Sequence, residues 1–264
     1  MPAISIITPL YQPDPIHLRE SAAGVAGQLL PEGWRLEWVV QEDGPHITMQ
    51  SELPVEPWIT YEPNGSHLGV AATRNIALSR ATGELVQVLD HDDYLLPAAL
   101  RTLVPHFNDP ATHWAIAQAE DLHEDGSRTS WPSELPFGPI APGLANSVAI
   151  EREGNWVVHC AGLMIRTQVL RALGGWVAGW GDDDVVMFAG LSEITQGYND
   201  PAVTWLYRHH AGQLHRRPES QQRSQRGRQT ALQRVVAMRA TQATLTVHPL
   251  RRVRSPLAGP AEKD

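Results

Sequence analysis

Two hydrophobic patterns alternate along the first half of the chain. ISIITPL (4 to 10), LEWVVQEDG (36 to 44), WITYEPN (58 to 64) and ELVQVLDHDD (84 to 93) are rich in β-branched and apolar residues and read as strands that run out into polar clusters. Between them, HLRESAAGVAGQLL (17 to 30) and GVAATRNIALSRATG (69 to 83) space their apolar residues as helices do, the second ending on a glycine stop. Strands alternating with helices predict an α/β domain whose mainly parallel sheet is covered on both faces. Ligands of such sheets sit beyond the carboxyl ends of the strands. The polar clusters Thr8 to Asp14, Glu42 to Gly44 and Asp90 to Asp93 all fall there, so three strand ends are expected to share one rim.

The second half is less regular. WAIAQAEDLHEDG (114 to 126) reads as a strand and a hairpin turn, and the Pro/Gly-rich stretch 131 to 143 as a long loop. HCAGLMIRTQVLRALGGW (159 to 176) reads as a strand entering a helix capped by Gly174 and Gly175. After GWGDDDVVMFAGLSEI come a strand, VTWLYRHH, and an amphipathic helix near residues 228 to 241. No internal repeat is visible.

Composition narrows the class. A chain of 264 residues with 42% hydrophobic content and nine tryptophans can bury a sizeable core. No run approaches the roughly 18 apolar residues of a membrane span, and the opening MPAISIITPLYQPD is not a signal peptide, so a cytoplasmic location is the expectation. The single cysteine, Cys160, excludes an internal disulfide and a thiolate metal cluster; with His159 beside it pointing the other way, it reads as a small core residue.

Charge is unevenly distributed. Residues 1 to 204 carry 9 Arg against 26 Asp/Glu, giving −17, whereas residues 205 to 264 carry 11 Arg and 1 Lys against 3 Asp/Glu, giving +9. A basic tail could touch an acidic membrane surface from outside, or dock on the acidic body. QRSQRGRQ (221 to 228) has no interleaved aromatics, which argues against nucleic-acid binding.

The stretch VQVLDHDDYLLP (86 to 97) concentrates Asp90, Asp92 and Asp93 at the end of a strand. Two carboxylates about 4 Å apart repel by roughly 4 kcal/mol at an effective dielectric of 20, which a bound cation would relieve. Alternation puts Asp90 and Asp92 on one face and turns His91 away. A purely structural role is equally open, with Asp93 capping a helix that starts near Leu96 and Pro97.

Taken together, SIITPLY, QEDG, GVAATRNIALSRATGELVQVLDHDD, LMIRTQVLRALGGW, GWGDDD and YRHHAGQ resemble, in order and spacing, the family-2 glycosyltransferases with the GT-A fold, across residues 3 to 215. The run from Gly69 to Asp93 is the most specific piece. The resemblance implies a Rossmann-like fold with a mixed, mainly parallel central sheet flanked by helices. It also implies a nucleotide-sugar-binding half (1–110), an acceptor-binding half (111–215) and a basic C-terminal helix and tail (216–264).

By the same resemblance, the donor is a nucleotide-diphosphate sugar, with a UDP-sugar expected, and the cofactor is Mg²⁺ or Mn²⁺. Asp92 would coordinate the metal and Asp90 would face the ribose, as in the family's DxD motif. Thr8, Pro9 and Tyr11 match the family's opening signature at the nucleobase, Asp43 the acid that meets the base, and Arg74 the arginine near base and phosphates. The chain departs from the family with Glu42-Asp43 before Gly44 and with Pro45 after it.

Transfer with inversion also needs a general base. The family's register places Asp183 there and Asp182 beside it, near the acceptor; a slip of one residue would make Asp184 the base. Trp176 and Trp180 flank this segment as a platform for a ring-bearing acceptor. In YRHHAGQLHRR, His210 is the first choice for a further metal ligand and His209 the second, with Arg208, Arg216 and Arg217 able to grip a diphosphate.

The enzyme expected is therefore a hexosyl- or N-acetylhexosaminyltransferase acting on a hydroxyl or amine of a soluble, secondary-metabolite or saccharide acceptor, its pocket shaped by residues 131 to 158. Two alternatives stand beside it. A nucleotidyltransferase would need a Gly-rich basic loop after the first strand, which TPLYQPDP is not. A non-enzymatic carbohydrate- or calcium-binding module would use the tryptophans and acids without turnover.

Overall fold

The computed structural model describes residues 1–156, 158–179, 181–213 and 218–246. Strand β1 (Ala3–Leu10) lies at the middle of the parallel part of the sheet, between β2 (Arg35–Glu42) and β4 (Leu85–Val88), with β3 (Ile59–Pro63) outside β2. Every residue of β1 is buried, which is why its sequence is a continuous apolar run instead of an alternation. Ile4 and Ile6 pack with Leu18, Ala22 and Val25 of helix α1 (Pro15–Ala26) on one face. Ile7 packs with Ala77 and Leu78 of helix α2 (Val70–Arg80) on the other. Each such fully buried side chain is worth about 1.5–3 kcal/mol.

Beyond β4 the order of the sheet continues through β9 (Leu163–Arg166), β6 (Thr112–Leu122), β10 (Gln196–Arg208) and β5 (Tyr94–Leu95). Strand β9 runs antiparallel to both β4 and β6, whereas β6 and β10 are parallel. The sheet is thus parallel from β1 to β4 and mixed beyond. Helices α3 (Ala99–Leu103), α4 (Leu144–Glu151), α5 (Thr167–Ala172), α6 (Asp183–Ile194) and α7 (Pro218–Ala240) complete the layers, and β7 (Arg128–Ser130) pairs with β6 as the expected hairpin.

Several boundaries differ from the sequence expectation for local reasons. Helix α1 begins at Pro15 because the Asp14 carboxylate accepts from the backbone N–H of Ile16 at 2.8 Å and of His17 at 3.3 Å. Strand β4 stops at Val88, before the acids, and the chain turns so that the Asp93 N–H bonds the Asp90 carbonyl at 3.2 Å. The stretch read as loop contains β8 (Gly138–Ile140), paired with β10, and leads into α4. Helix α7 starts ten residues earlier than the apolar spacing indicated, with proline in its first turn.

Helix α2 connects the two halves of the chain. Its Asn75 reaches the turn after α5, donating from Nδ2 to the Trp176 carbonyl at 2.7 Å and accepting from the Trp176 N–H at Oδ1 at 2.9 Å. Gly174 and Gly175 both have positive φ there, and a Cβ on Gly175 would overlap Asn75. Trp176 itself is fully buried in the core and so is not a surface platform, correcting the reading of its sequence position. No helix among the described residues is long and apolar enough to cross a membrane.

Asn75→Ala leaves both Trp176 backbone groups without their partner, so urea unfolding should show a loss of about 1–3 kcal/mol with an unchanged m-value.

Candidate active site

The strand ends converge as the alternation of elements requires. Leu89 continues the pairing of β4 with β1 through a bond to the Ile7 carbonyl at 3.1 Å, and the Asp43 N–H donates to the Leu10 carbonyl at 2.7 Å. Helix α2 rises behind this rim and sends Arg74 into it. The guanidinium, only 5% exposed, donates from Nη2 to Asp90 Oδ1 at 2.7 Å and from Nη1 to Asp183 Oδ2 at 3.0 Å. Its Nε is buried without a hydrogen-bond partner among the described residues. The end of β4 and the start of α6 are joined by this one side chain.

Asp184 stands beside Asp183 and accepts the Val185 N–H at 2.8 Å. Burial above all, then the Asp183 charge, pushes its pKa up to about 6, against the pull of Arg74.

A second pairing lies along the same rim. Asp92 Oδ2 and His210 Nε2 are 2.9 Å apart, and the His17 ring lies 4.8 Å from that of His210. Burial works to raise the Asp92 pKa, but His91 and the hydrogen-bonded His210 outweigh it and hold the carboxylate below its ordinary value. Asp93 does not cap the following helix: it is buried and accepts the Arg208 N–H at 3.1 Å. Burial, reinforced by Asp92 and Asp90, holds its pKa well above the carboxylate range. Arg208 donates from Nε to the Asp92 carbonyl at 2.8 Å and pairs with Glu20, so the end of β10 is fastened to the acidic turn. His209 turns to Asp121 at 3.0 Å instead.

The two groups differ in what they could bind. Asp92 and His210 offer an oxygen and a nitrogen donor that suit Mg²⁺ or Mn²⁺ when phosphate oxygens complete the shell. No cluster of three or more His, Cys, Asp or Glu able to hold an ion occurs among the described residues.

On the first two strand ends, Tyr11 stacks on His67 at 4.6 Å, tilted by 32°. His67 Nδ1 meets Asp43 Oδ2 at 2.8 Å, and Asp43 also accepts from the Leu68 N–H at 2.6 Å, the Gly69 N–H at 3.0 Å and Asn64 Nδ2 at 3.1 Å. Asp43 is therefore buried behind Tyr11 and His67 and shapes the loop leading into α2. Glu42 accepts from Thr48 and from Tyr61.

Some expected residues fall elsewhere. Thr8 and Pro9 are buried inside β1, which stays paired with β2 as far as Leu10; the Thr8 hydroxyl accepts from Trp38 Nε1 at 2.9 Å, so it supports the floor and its side chain cannot touch a ligand. Asp182 points away from Arg74 and meets α7, accepting from Ser224 Oγ at 2.6 Å and Arg228 Nε at 3.1 Å. The residue expected near an acceptor is thus held by this helix contact. Trp180, Arg216 and Arg217 lie outside the described residues. Spacing gave no signal for His67 or Asn64, whose roles arise from loop closure, or for Asn75, whose role arises from the contact of α2 with the turn after α5.

Over residues 5–173 the sequence matches Glycosyl transferase family 2, and the chain belongs to that family. It is 36% identical over 87 residues to WcaA of Escherichia coli (strain K12), a protein named for glycosyl transfer in colanic acid biosynthesis; the match covers 33% of this chain and 31% of WcaA. It is 26% identical over 193 residues to the Mycobacterium tuberculosis (strain CDC 1551 / Oshkosh) protein MT1568, covering 66% and 57% of the two chains. Among solved structures, the 1–349 fragment of S. aureus TarS superposes with a TM-score of 0.59 at 18% identity, covering 79% of this chain and 60% of the fragment. Its complex with UDP-GlcNAc gives 0.60 at 19% identity over 81% and 60%. This is a likeness of fold, and it establishes the GT-A type of α/β architecture here. The chain spans 31% and 57% of the length of the two curated relatives it matches.

A carboxyl group whose pKa is raised by folding binds its proton more tightly in the folded state, so stability falls as pH rises from the unfolded value of 3.8 towards about 6. Asp184→Asn should remove this share of the decline. Urea midpoints at pH 4 and pH 7 should differ less in the variant than in the parent.

Proposed function

We propose that this chain is a glycosyltransferase that moves a sugar from a nucleotide-diphosphate donor, a UDP-sugar, to a hydroxyl or amine, with inversion and with Mg²⁺ or Mn²⁺. The observation that carries the reading is Arg74, which joins Asp90 and Asp183, 93 residues apart in sequence, at the rim where the strand ends converge. Family membership and the solved complex of TarS with UDP-GlcNAc support the donor class.

Each residue then has a task. Tyr11 and His67 offer aromatic faces to a base, with Asp43 fixing the loop that carries His67. Asp90 faces the ribose. Asp92 and His210 would hold the divalent ion, which when bound neutralises the charge of the departing diphosphate. Asp183 takes the acceptor proton as the acceptor oxygen or nitrogen bonds to the anomeric carbon and the bond to the diphosphate breaks. Asp184, with its raised pKa, is the alternative base. Beside the rim lies a cavity of about 390 Å³ lined by Gln118, Trp131, Leu135, His159, Trp205 and Tyr207 among others, which suits a ring-bearing small molecule or saccharide as acceptor.

Asp92→Asn should abolish both sugar transfer and Mn²⁺-dependent UDP binding, read by calorimetry; undiminished activity would remove the assignment. As a companion, thermal shift with UDP plus Mn²⁺ should stabilise the parent, whereas stabilisation by Ca²⁺ alone would favour a calcium-binding module.

Asp183→Asn should keep donor affinity and lose turnover by about 10²- to 10⁴-fold, measured as transfer or as donor hydrolysis across a panel of nucleotide sugars. Surviving turnover in that variant would move the base to Asp184.

A further inference from the structure

The segment carrying Asp183 is held by a helix that lies outside residues 5–173, the stretch that matches the family. Helix α7 packs along α6 in step: Asp182 meets Ser224 and Arg228, the Val186 carbonyl accepts Arg234 Nη1 at 3.0 Å, and Glu193 meets Arg239 at 2.7 Å. Val186 and Ala189 of α6 bury against Ala231 and Val235 of α7.

Contact is tightest where the catalytic turn begins. Gly227 is buried, and a Cβ on it would overlap the Gly181 carbonyl oxygen, so α7 rests directly on that backbone. The next residue, Asp182, has φ +50°, a left-handed conformation that residues with a Cβ seldom adopt. It forms no cap hydrogen bond to its own helix. Both its carboxylate oxygens are taken by α7, one by the Ser224 hydroxyl and the other by the Arg228 guanidinium, which also reaches Asn155. Asp182 thus spends its charge on holding the backbone that aims Asp183 at Arg74.

We propose that α7 is a clamp for the catalytic turn, with Arg228 and Ser224 as positioning residues that act through Asp182 on Asp183. The role in turnover rests on the proposed transferase activity; the clamp itself does not. A misplacement of a reacting group by about 1 Å can cost up to 10²-fold in rate, so a contact that touches no substrate can govern turnover. It should leave donor binding alone, because the nucleotide end of the rim is built from other elements.

The test uses the full chain with Arg228→Ala, Arg228→Lys, Gly227→Ala and, on the exposed side of α7, Gln229→Ala. Transfer kinetics and amide hydrogen exchange over residues 177–194 are measured on each. Arg228→Ala and Gly227→Ala are expected to lower kcat about tenfold while donor KM stays within about twofold, with Arg228→Lys recovering most of the loss and Gln229→Ala matching the parent. Exchange should quicken across 177–186 and stay unchanged across 187–194, which separates a local release from general unfolding. Parental kcat together with parental exchange in both Arg228→Ala and Gly227→Ala would overturn the clamp. So would equal loss of protection along the whole of α6. If the parent turns over no nucleotide sugar, the transferase reading fails on its own, and the exchange pattern decides the clamp.

Discussion

Burying a guanidinium is costly unless carboxylates and hydrogen bonds replace its water, and Arg74 is buried with Asp90 on one side and Asp183 on the other. Burial by itself would drive its pKa down, but the surrounding acids, Asp90 foremost, pull it well above the ordinary arginine value. The arrangement therefore holds only when the end of β4, the face of α2 and the start of α6 arrive together. That requirement explains why the two neighbours of Arg74 on the helix are also committed. Thr73 bonds the Gly69 carbonyl at 2.9 Å and receives Asn64, while Asn75 holds the Trp176 backbone. Three consecutive residues, projecting in different directions from one helix, tie the nucleotide-side loop, the acidic rim and the second half of the chain to each other.

The charge problem posed by three aspartates within four residues is settled by giving each a different neighbour. Asp90 is neutralised by Arg74, Asp92 faces His210, and Asp93 is withdrawn from solvent onto the Arg208 backbone. Leaving the strand after Val88 makes this separation available, because a turn sends successive carboxylates in directions that strict alternation cannot. The cost of burying Asp93 appears as its raised pKa, and the fastening of β10 to the turn is what that burial achieves.

Much of this organisation was legible in the chain. The continuous apolar run of β1, the helical spacing before Gly83 and the polar clusters after each strand follow from local periodicity and from the rule that a two-sided sheet must bury both faces of its central strands. The acids Asp43, Asp90 and Asp92 were visible as carboxylates at strand ends, because the alternation of elements along the chain carries that information, whereas Arg74, Asp183 and His210 were marked by the resemblance to family-2 glycosyltransferases. Short β8 and helix α4 were not visible, since each depends on packing against β10 and α6 more than on its own pattern.

Direction and partnership were decided only in three dimensions. Sequence position placed Thr8 and Trp176 beside ligands, yet sheet pairing and core packing bury both. It placed Asp182 and Asp183 side by side, and the left-handed backbone between α6 and the preceding glycine sends one carboxylate to Arg228 and the other to Arg74. It could not show that His67 would close over Asp43 or that α7 would rest on Gly181. Period and composition specify which residues belong to one element and which face they prefer. Which carboxylate meets which cation is set by contacts between elements far apart in the chain, where the cost of desolvating a charge favours the arrangement that brings it a partner.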